Sequence, residues 1–278
     1  MHVHAHPQDP PASRVVVRKD FMPDEDVMAR DLNRAFNAYA DKVIAQGVED
    51  FGPEAAAPLR EVWERTARDA LHKAAKAENA LRRWKVGGDD LILDNPYAVE
   101  WVRTQGATFV TQITEATRET IRVTMERGFL EQLTAREQAR MLRSVVTLNS
   151  RQVRAAEYML TEALAEGVDQ DTAIKRATSY ATRLLARRAL DIAQNEIIRA
   201  ESGGLETSWL HARSKGWLLP TSKKKWIASV SSRRTCAFCR DMHGAEAPID
   251  GVFRKNGREA ERPPGHTRCR CGMGLVTR

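Results

Sequence analysis

The sequence predicts a mainly α protein: an extended antiparallel helical bundle followed by a small C-terminal zinc-stabilised α/β module. Three observations carry this expectation. Apolar residues recur at three- and four-residue steps through most of residues 24–204, the period of one helix face. Glycine, proline and asparagine interrupt that pattern at short intervals, so successive helices have short connections and run antiparallel. All four cysteines fall between Cys236 and Cys271, as Cys236-x-x-Cys239 and Cys269-x-Cys271, with His266 just ahead of the second pair.

The chain of 278 residues, 42% hydrophobic and 29% charged, has an ordinary soluble composition and room for two modest domains. No apolar run approaches 18 residues, so no membrane span is expected. Residues 1–22 hold His2, His4 and His6 among prolines and read as a mobile arm, in which Val15-Val16-Val17 is a short extended candidate. Met1-His2-Val3-His4 leads into proline and aspartate without an apolar segment, so no signal peptide and no oxidising compartment are expected.

A helical region is expected over 23–90. Its first helix starts at Asp24 and carries Val27, Leu32, Phe36, Tyr39 and Val43 until Gly47 and Gly52-Pro53 interrupt it. A second runs through Leu59, Trp63, Ala67 and Leu71 toward Trp84, before Gly87-Gly88-Asp89-Asp90 and an extended link at Leu91-Ile92-Leu93.

A helical body follows over 91–215. Asn95-Pro96 starts a helix, the asparagine accepting from orphan amides and the proline fixing φ in the first turn. Its stripe of Val99, Val102, Val110, Ile113 and Ile121 is expected to be core rather than a coiled-coil seam, because threonines break the heptads, and Gly128 is its expected stop. Thr134 and Glu137 form a capping box for the next helix, which ends near Asn149-Ser150. Another spans 151–166, and a last long one runs from Asp171 to Gly203-Gly204. Glu196 and Glu201, and Arg183, Arg187, Arg188 and Arg199, read as solvated or salt-bridged helix faces rather than as catalytic groups.

The basic module occupies 216–278. From Lys223 onward there are thirteen Lys and Arg against five Asp and Glu, so the chain's net +7 resides here and the remainder is nearly neutral. A segment this small buries little apolar surface and needs a metal, disulfides or a partner. A tetrahedral zinc site takes four N or S ligands about 2.0–2.3 Å from the ion, and two short pairs across a loop supply them. The metal ligands are therefore expected among Cys236, Cys239, Cys269 and Cys271, with His266 the alternative to Cys269 in the fourth place. His243 is expected to be solvated. If the ion draws the flanks together, Lys223, Lys224, Lys225, Arg233, Arg234, Arg268 and Arg270 form one positive surface, with Trp226 and Phe238 nearby, suited to phosphate backbones or acidic protein.

Those residues carry a resemblance as well. Lys225-Trp226, then Arg234-Thr235-Cys236-x-x-Cys239, Gly244, and Pro263-Pro264-Gly265-His266-x-x-Cys269-Arg270-Cys271 resemble the C-terminal signature of the head-morphogenesis (phage Mu protein F-like) minor capsid proteins of tailed bacteriophages. The likeness covers about the last 90 residues, from near Ala189. Ile192-Ala193-Gln194-Asn195-Glu196 departs from the family's Ile-Ala-Arg-Thr-Glu at Gln194 and Asn195, and Ser232-Arg233 stands where an acidic residue often precedes Arg-Thr-Cys.

The resemblance implies a structural virion protein, not an enzyme, associated with the portal protein or the major capsid protein and present in several copies per particle. It would sit in the capsid interior or at the portal vertex, and in the host cytoplasm during assembly. Non-specific contact with packaged double-stranded DNA is a further expectation. Two alternatives stand beside it. A zinc-fold nuclease of the His-Asn-His type shares Cys-x-x-Cys with a later histidine, but a second His and an Asn are missing after His266. A zinc-finger DNA-binding regulator would need a groove-reading helix, which the tail does not offer.

Overall fold

The computed structural model describes residues 22–46, 51–82, 95–130, 133, 135–228, 230 and 235–277. Among them are seven α-helices: α1 Met22–Gln46, α2 Ala57–Arg82, α3 Pro96–Leu130, α4 Ala135–Val145, α5 Ser150–Ala165, α6 Gln170–Ser214 and α7 Ala237–Met242. A 3-10 turn, Pro53–Ala56, precedes α2, and five short strands fall in the last part: β1 Lys223–Ile227, β2 Glu246–Pro248, β3 Phe253–Lys255, β4 Arg258–Ala260 and β5 Gly272–Val276. The protein is thus mainly helical with a small C-terminal strand region, and no helix among the described residues is long and apolar enough to cross a membrane. Residues 1–21 of the expected N-terminal arm, the 87–93 link, Thr134 of the expected capping box and the Arg233-Arg234 pair lie outside the described residues, while Met22 opens α1.

Packing divides the chain into two compact units that interleave along the sequence. The first comprises 23–65 and 104–193. Leu32, Phe36, Tyr39 and Val43 of α1 are buried there, as their spacing predicts. Trp63 stacks on Phe109 with ring centroids 6.1 Å apart. Three of the buried threonines of α3 satisfy their hydroxyls on backbone carbonyls: Thr114 donates to Val110 O, Thr117 to Ile113 O, and Thr120 to Leu148 O at 2.9 Å. A second cluster joins Met141, Leu160, Ala163, Ala173, Ile174 and Ala177. Asn149 caps α5 with a full capping box to Gln152, a start signal hidden in what reads from sequence as a helix end.

The second unit contains residues 66–103 and 194–278. Asn95 caps α3 as predicted, its Oδ1 accepting from Tyr97 N, while its Nδ2 donates to Thr207 O at 3.2 Å. Two expected stops fail. The α3 helix continues past Gly128 to Leu130, and α6 continues through Gly203-Gly204 to Ser214. Glycine serves α6 for close approach rather than termination. A Cβ at Gly204 would lie 3.0 Å from the Leu71 backbone, and one at Gly203 2.4 Å from the Trp101 ring. Without side chains there, α6 packs directly against α2 and α3, and a hydrogen bond from Trp209 Nε1 to Glu78 Oε1 at 2.9 Å follows within two turns.

Candidate metal centre

Strand β1 pairs antiparallel with β5 along its whole length and with β2 at its start, giving the order β2-β1-β5, while β3 and β4 form a hairpin. A strand's side chains alternate between faces, so Lys224 and Trp226 point into the core and Lys223 and Lys225 away from it. Trp226 is fully buried, edge-on to Phe253 and Phe238 at 5.4 and 6.2 Å. It is a core residue and not part of an exposed surface.

The same alternation arranges the second cysteine pair. Cys269 and Cys271 are buried, with Arg270 exposed between them, so both sulfurs lie on one side of the chain entering β5. The first pair meets them from α7. Cys236 is the N-cap of that helix, its Sγ accepting from Cys239 N at 3.4 Å. His266 arrives on the Pro-Pro-Gly turn, which packs on Phe238: a Cβ at Gly265 would stand 2.4 Å from the Phe238 ring, and His266 lies edge-on to that ring at 6.2 Å.

Five donors converge as two triads sharing Cys239. One is Cys236, Cys239 and His266; the other is Cys239, Cys269 and Cys271; within each, the donor atoms lie within 4.8 Å of one another. His266 Nε2 is 3.1 Å from Cys236 Sγ and 3.0 Å from Cys239 Sγ, and Cys239 Sγ is 3.8 Å from Cys269 Sγ. Zinc bond lengths imply tetrahedral edges of about 3.8 Å between sulfurs and about 3.5 Å between sulfur and nitrogen. The observed separations are within about half an ångström of these, and the donor set fits a metal ion. All four cysteines are free, and 3.8 Å is nearly twice the roughly 2.05 Å of a disulfide bond.

Local interactions prepare the donors unequally. His266 Nδ1 lies 2.8 Å from Thr267 O, which accepts a hydrogen bond from the Nδ1–H tautomer and leaves the Nε2 lone pair facing the sulfurs. Hydrogen bonding from Cys271 holds the Cys269 thiol down at about 5. The same pairing, reinforced by burial, pushes Cys271 up. Burial pushes Cys239 up to about 12. Burial acts to raise Cys236 too, but the Cys239 amide and His266 hold it below the ordinary thiol value. At His266 burial opposes the cation, while the Thr267 carbonyl and the Cys269 and Cys236 sulfurs together raise it.

The expected positive surface is only partly realised. Lys223, Arg268 and Arg270 are exposed, and the Lys225 side chain, 42% exposed, stands 3.7 Å from Glu246. Lys224 departs from that expectation, because its side chain is only 1% exposed and is buried in the module. Its Nζ donates to Glu206 Oε2 at 3.1 Å and Glu261 O at 2.9 Å, and lies 5.2 Å from the centre of the Phe253 ring. Burial pulls its ammonium below the ordinary lysine value, against the raising effect of Glu206. His243 is half-buried, and its Nδ1 accepts from Ala228 N at 3.1 Å.

Glu206 of α6 escaped the sequence reading, and Asn195 was singled out there only as a departure from the family's segment, with no contact assigned to it. Glu206 is buried and accepts from Lys224 and from Arg262 Nε and Nη2 at 3.3 and 3.2 Å. Asn195 accepts from Arg268 N at 2.8 Å. Neither contact has a local signal, since the partners are 18 to 73 positions away. No protein-family model, curated protein or solved structure matches this chain.

Proposed function

We propose that this protein is a structural minor capsid protein of a tailed bacteriophage, docked on the portal protein or the inner capsid during head assembly. Its C-terminal module holds a structural Zn2+ ion through Cys236, Cys239, His266 and the Cys269-Arg270-Cys271 segment. The exposed cations Lys223, Lys225, Arg268 and Arg270 meet packaged DNA or an acidic protein surface. One observation carries the reading: the residues of the head-morphogenesis resemblance, separated by up to 35 positions, converge into one compact donor cluster with Gly265 and Trp226 packed behind it. A bound zinc would supply the cross-link that strands of three to five residues lack.

Metal analysis of the intact protein beside Cys236→Ser and Cys271→Ser tests the centre, with one zinc per chain expected in the wild type and depletion in Cys236→Ser. Mass spectrometry of purified phage particles tests the location, and absence of the chain from them overturns it. Duplex DNA of unrelated sequences should bind weakly and alike, more weakly still as salt rises, each phosphate contact steepening log K against log salt by about 0.9. Sequence-selective binding, or nicking with magnesium that His266→Ala abolishes, overturns the structural assignment.

A further inference from the structure

We propose that Asn195 and Glu206 are positioning residues for the metal centre, gripping the ligand-bearing segment 262–268 at its two ends and setting how tightly the ion is held. The inference rests on the zinc reading above. The two residues are eleven apart on α6, close to three full turns, so they share a face and stand about 16 Å apart along the axis. The segment runs alongside that face in the opposite direction, with Arg262 at Glu206 and Arg268 at Asn195.

At the Asn195 end the grip is on backbone. Arg268 has φ +61°, the left-handed conformation that residues other than glycine seldom adopt without support. Its N–H donates to Asn195 Oδ1 at 2.8 Å. Arg268 stands between His266 and Cys269, and Cys269 N donates to His266 O at 3.1 Å. One side-chain acceptor on α6 thus holds the turn that presents both donors.

At the other end the Arg262 guanidinium places two donors on the Glu206 carboxylate, a fork geometry that fixes direction as well as distance. Lys224 fills the remaining space, joining that carboxylate to Glu261 O. Arg262 is four residues before His266, so the Pro-Pro-Gly turn is anchored immediately before the histidine. Residues that hydrogen-bond metal ligands orient them, and their loss typically costs about 10- to 100-fold in metal affinity; Asn195 acts one residue further out, on the N–H beside Cys269, and Glu206 acts through Arg262.

The test loads full-length protein with zinc and follows transfer of the ion to a chromogenic chelator, with the thermal midpoint measured in parallel. Asn195→Ala and Asn195→Leu should release zinc about tenfold faster, with the midpoint lowered by no more than the weaker zinc binding accounts for. Asn195→Asp, which keeps an acceptor within reach of the Arg268 N–H, should restore release close to the wild-type rate. Because Glu206 variants risk misfolding, Arg262→Lys tests that end: it keeps the charge, loses the fork and should also speed release. Cobalt-substituted Asn195→Ala should show shifted ligand-field bands, a signature that a purely structural role does not move. Wild-type rates and spectra in a zinc-loaded Asn195→Ala protein overturn the grip alone. A wild type that binds no zinc overturns the zinc reading, and this inference with it.

Discussion

In the unit formed by residues 23–65 and 104–193, stability comes from side chains that the helix period places together: Leu32, Phe36 and Tyr39 on one helix, Leu160 and Ala163 against Ile174 and Ala177. Among the described residues from Lys223 onward no strand exceeds five residues, and the core around Trp226, Met242 and Phe253 is finished by cysteines and a buried ion pair. The first region gains by apolar area, which tolerates small errors. The second gains by a few directional bonds, so losing one is costly.

The largest expected break of this contrast is Cys239→Ser, which removes the donor common to both triads. Structural zinc contributes about 10–16 kcal/mol of apparent binding free energy, so the variant should lose its metal and the near-ultraviolet signal of Trp226 while far-ultraviolet helicity persists. Next comes Glu206→Ala. It strands the buried Lys224 ammonium and the Arg262 guanidinium, and about 3–5 kcal/mol of destabilisation is expected in urea titration. Leu160→Ala, in the helical unit, should cost about 2–5 kcal/mol as a cavity and leave zinc content unchanged. A loss of zinc in that variant would erase the contrast. Asn149→Ala removes the capping box of α5 and should cost only about 1 kcal/mol.

Proton linkage sharpens the contrast without mutation. Burial holds the Cys239 thiol at about 12, so at pH 7 metal binding must displace its proton, whereas Cys269, held at about 5, is already a thiolate. Calorimetry in buffers of different ionisation heat should therefore report at least one proton released per ion. Acidification reverses the exchange. Because the raised His266 takes up its proton at a higher pH than an ordinary histidine, affinity should fall as the pH drops through that range. Uptake of protons on binding would contradict the donor assignment.

Helix periodicity and capping chemistry are local, and most of α1, α2, α3, α5 and α6 was therefore legible in the sequence, as was the clustering of Cys236, Cys239, His266, Cys269 and Cys271. What a glycine or a lysine does depends on what lies across from it. Gly203-Gly204 reads as a helix stop until the Leu71 backbone and Trp101 ring are seen against it. Lys223-Lys224-Lys225 reads as one basic run until strand pairing turns the middle residue inward onto Glu206. Asn195 and Arg268 are 73 positions apart. The sequence alone determined which chemistry the chain carries and where its helices begin, because both follow from neighbouring residues. Only the tertiary structure decided which charges face water and which polar groups steady the donors, because burial and long-range hydrogen bonds are set by surfaces that meet after folding.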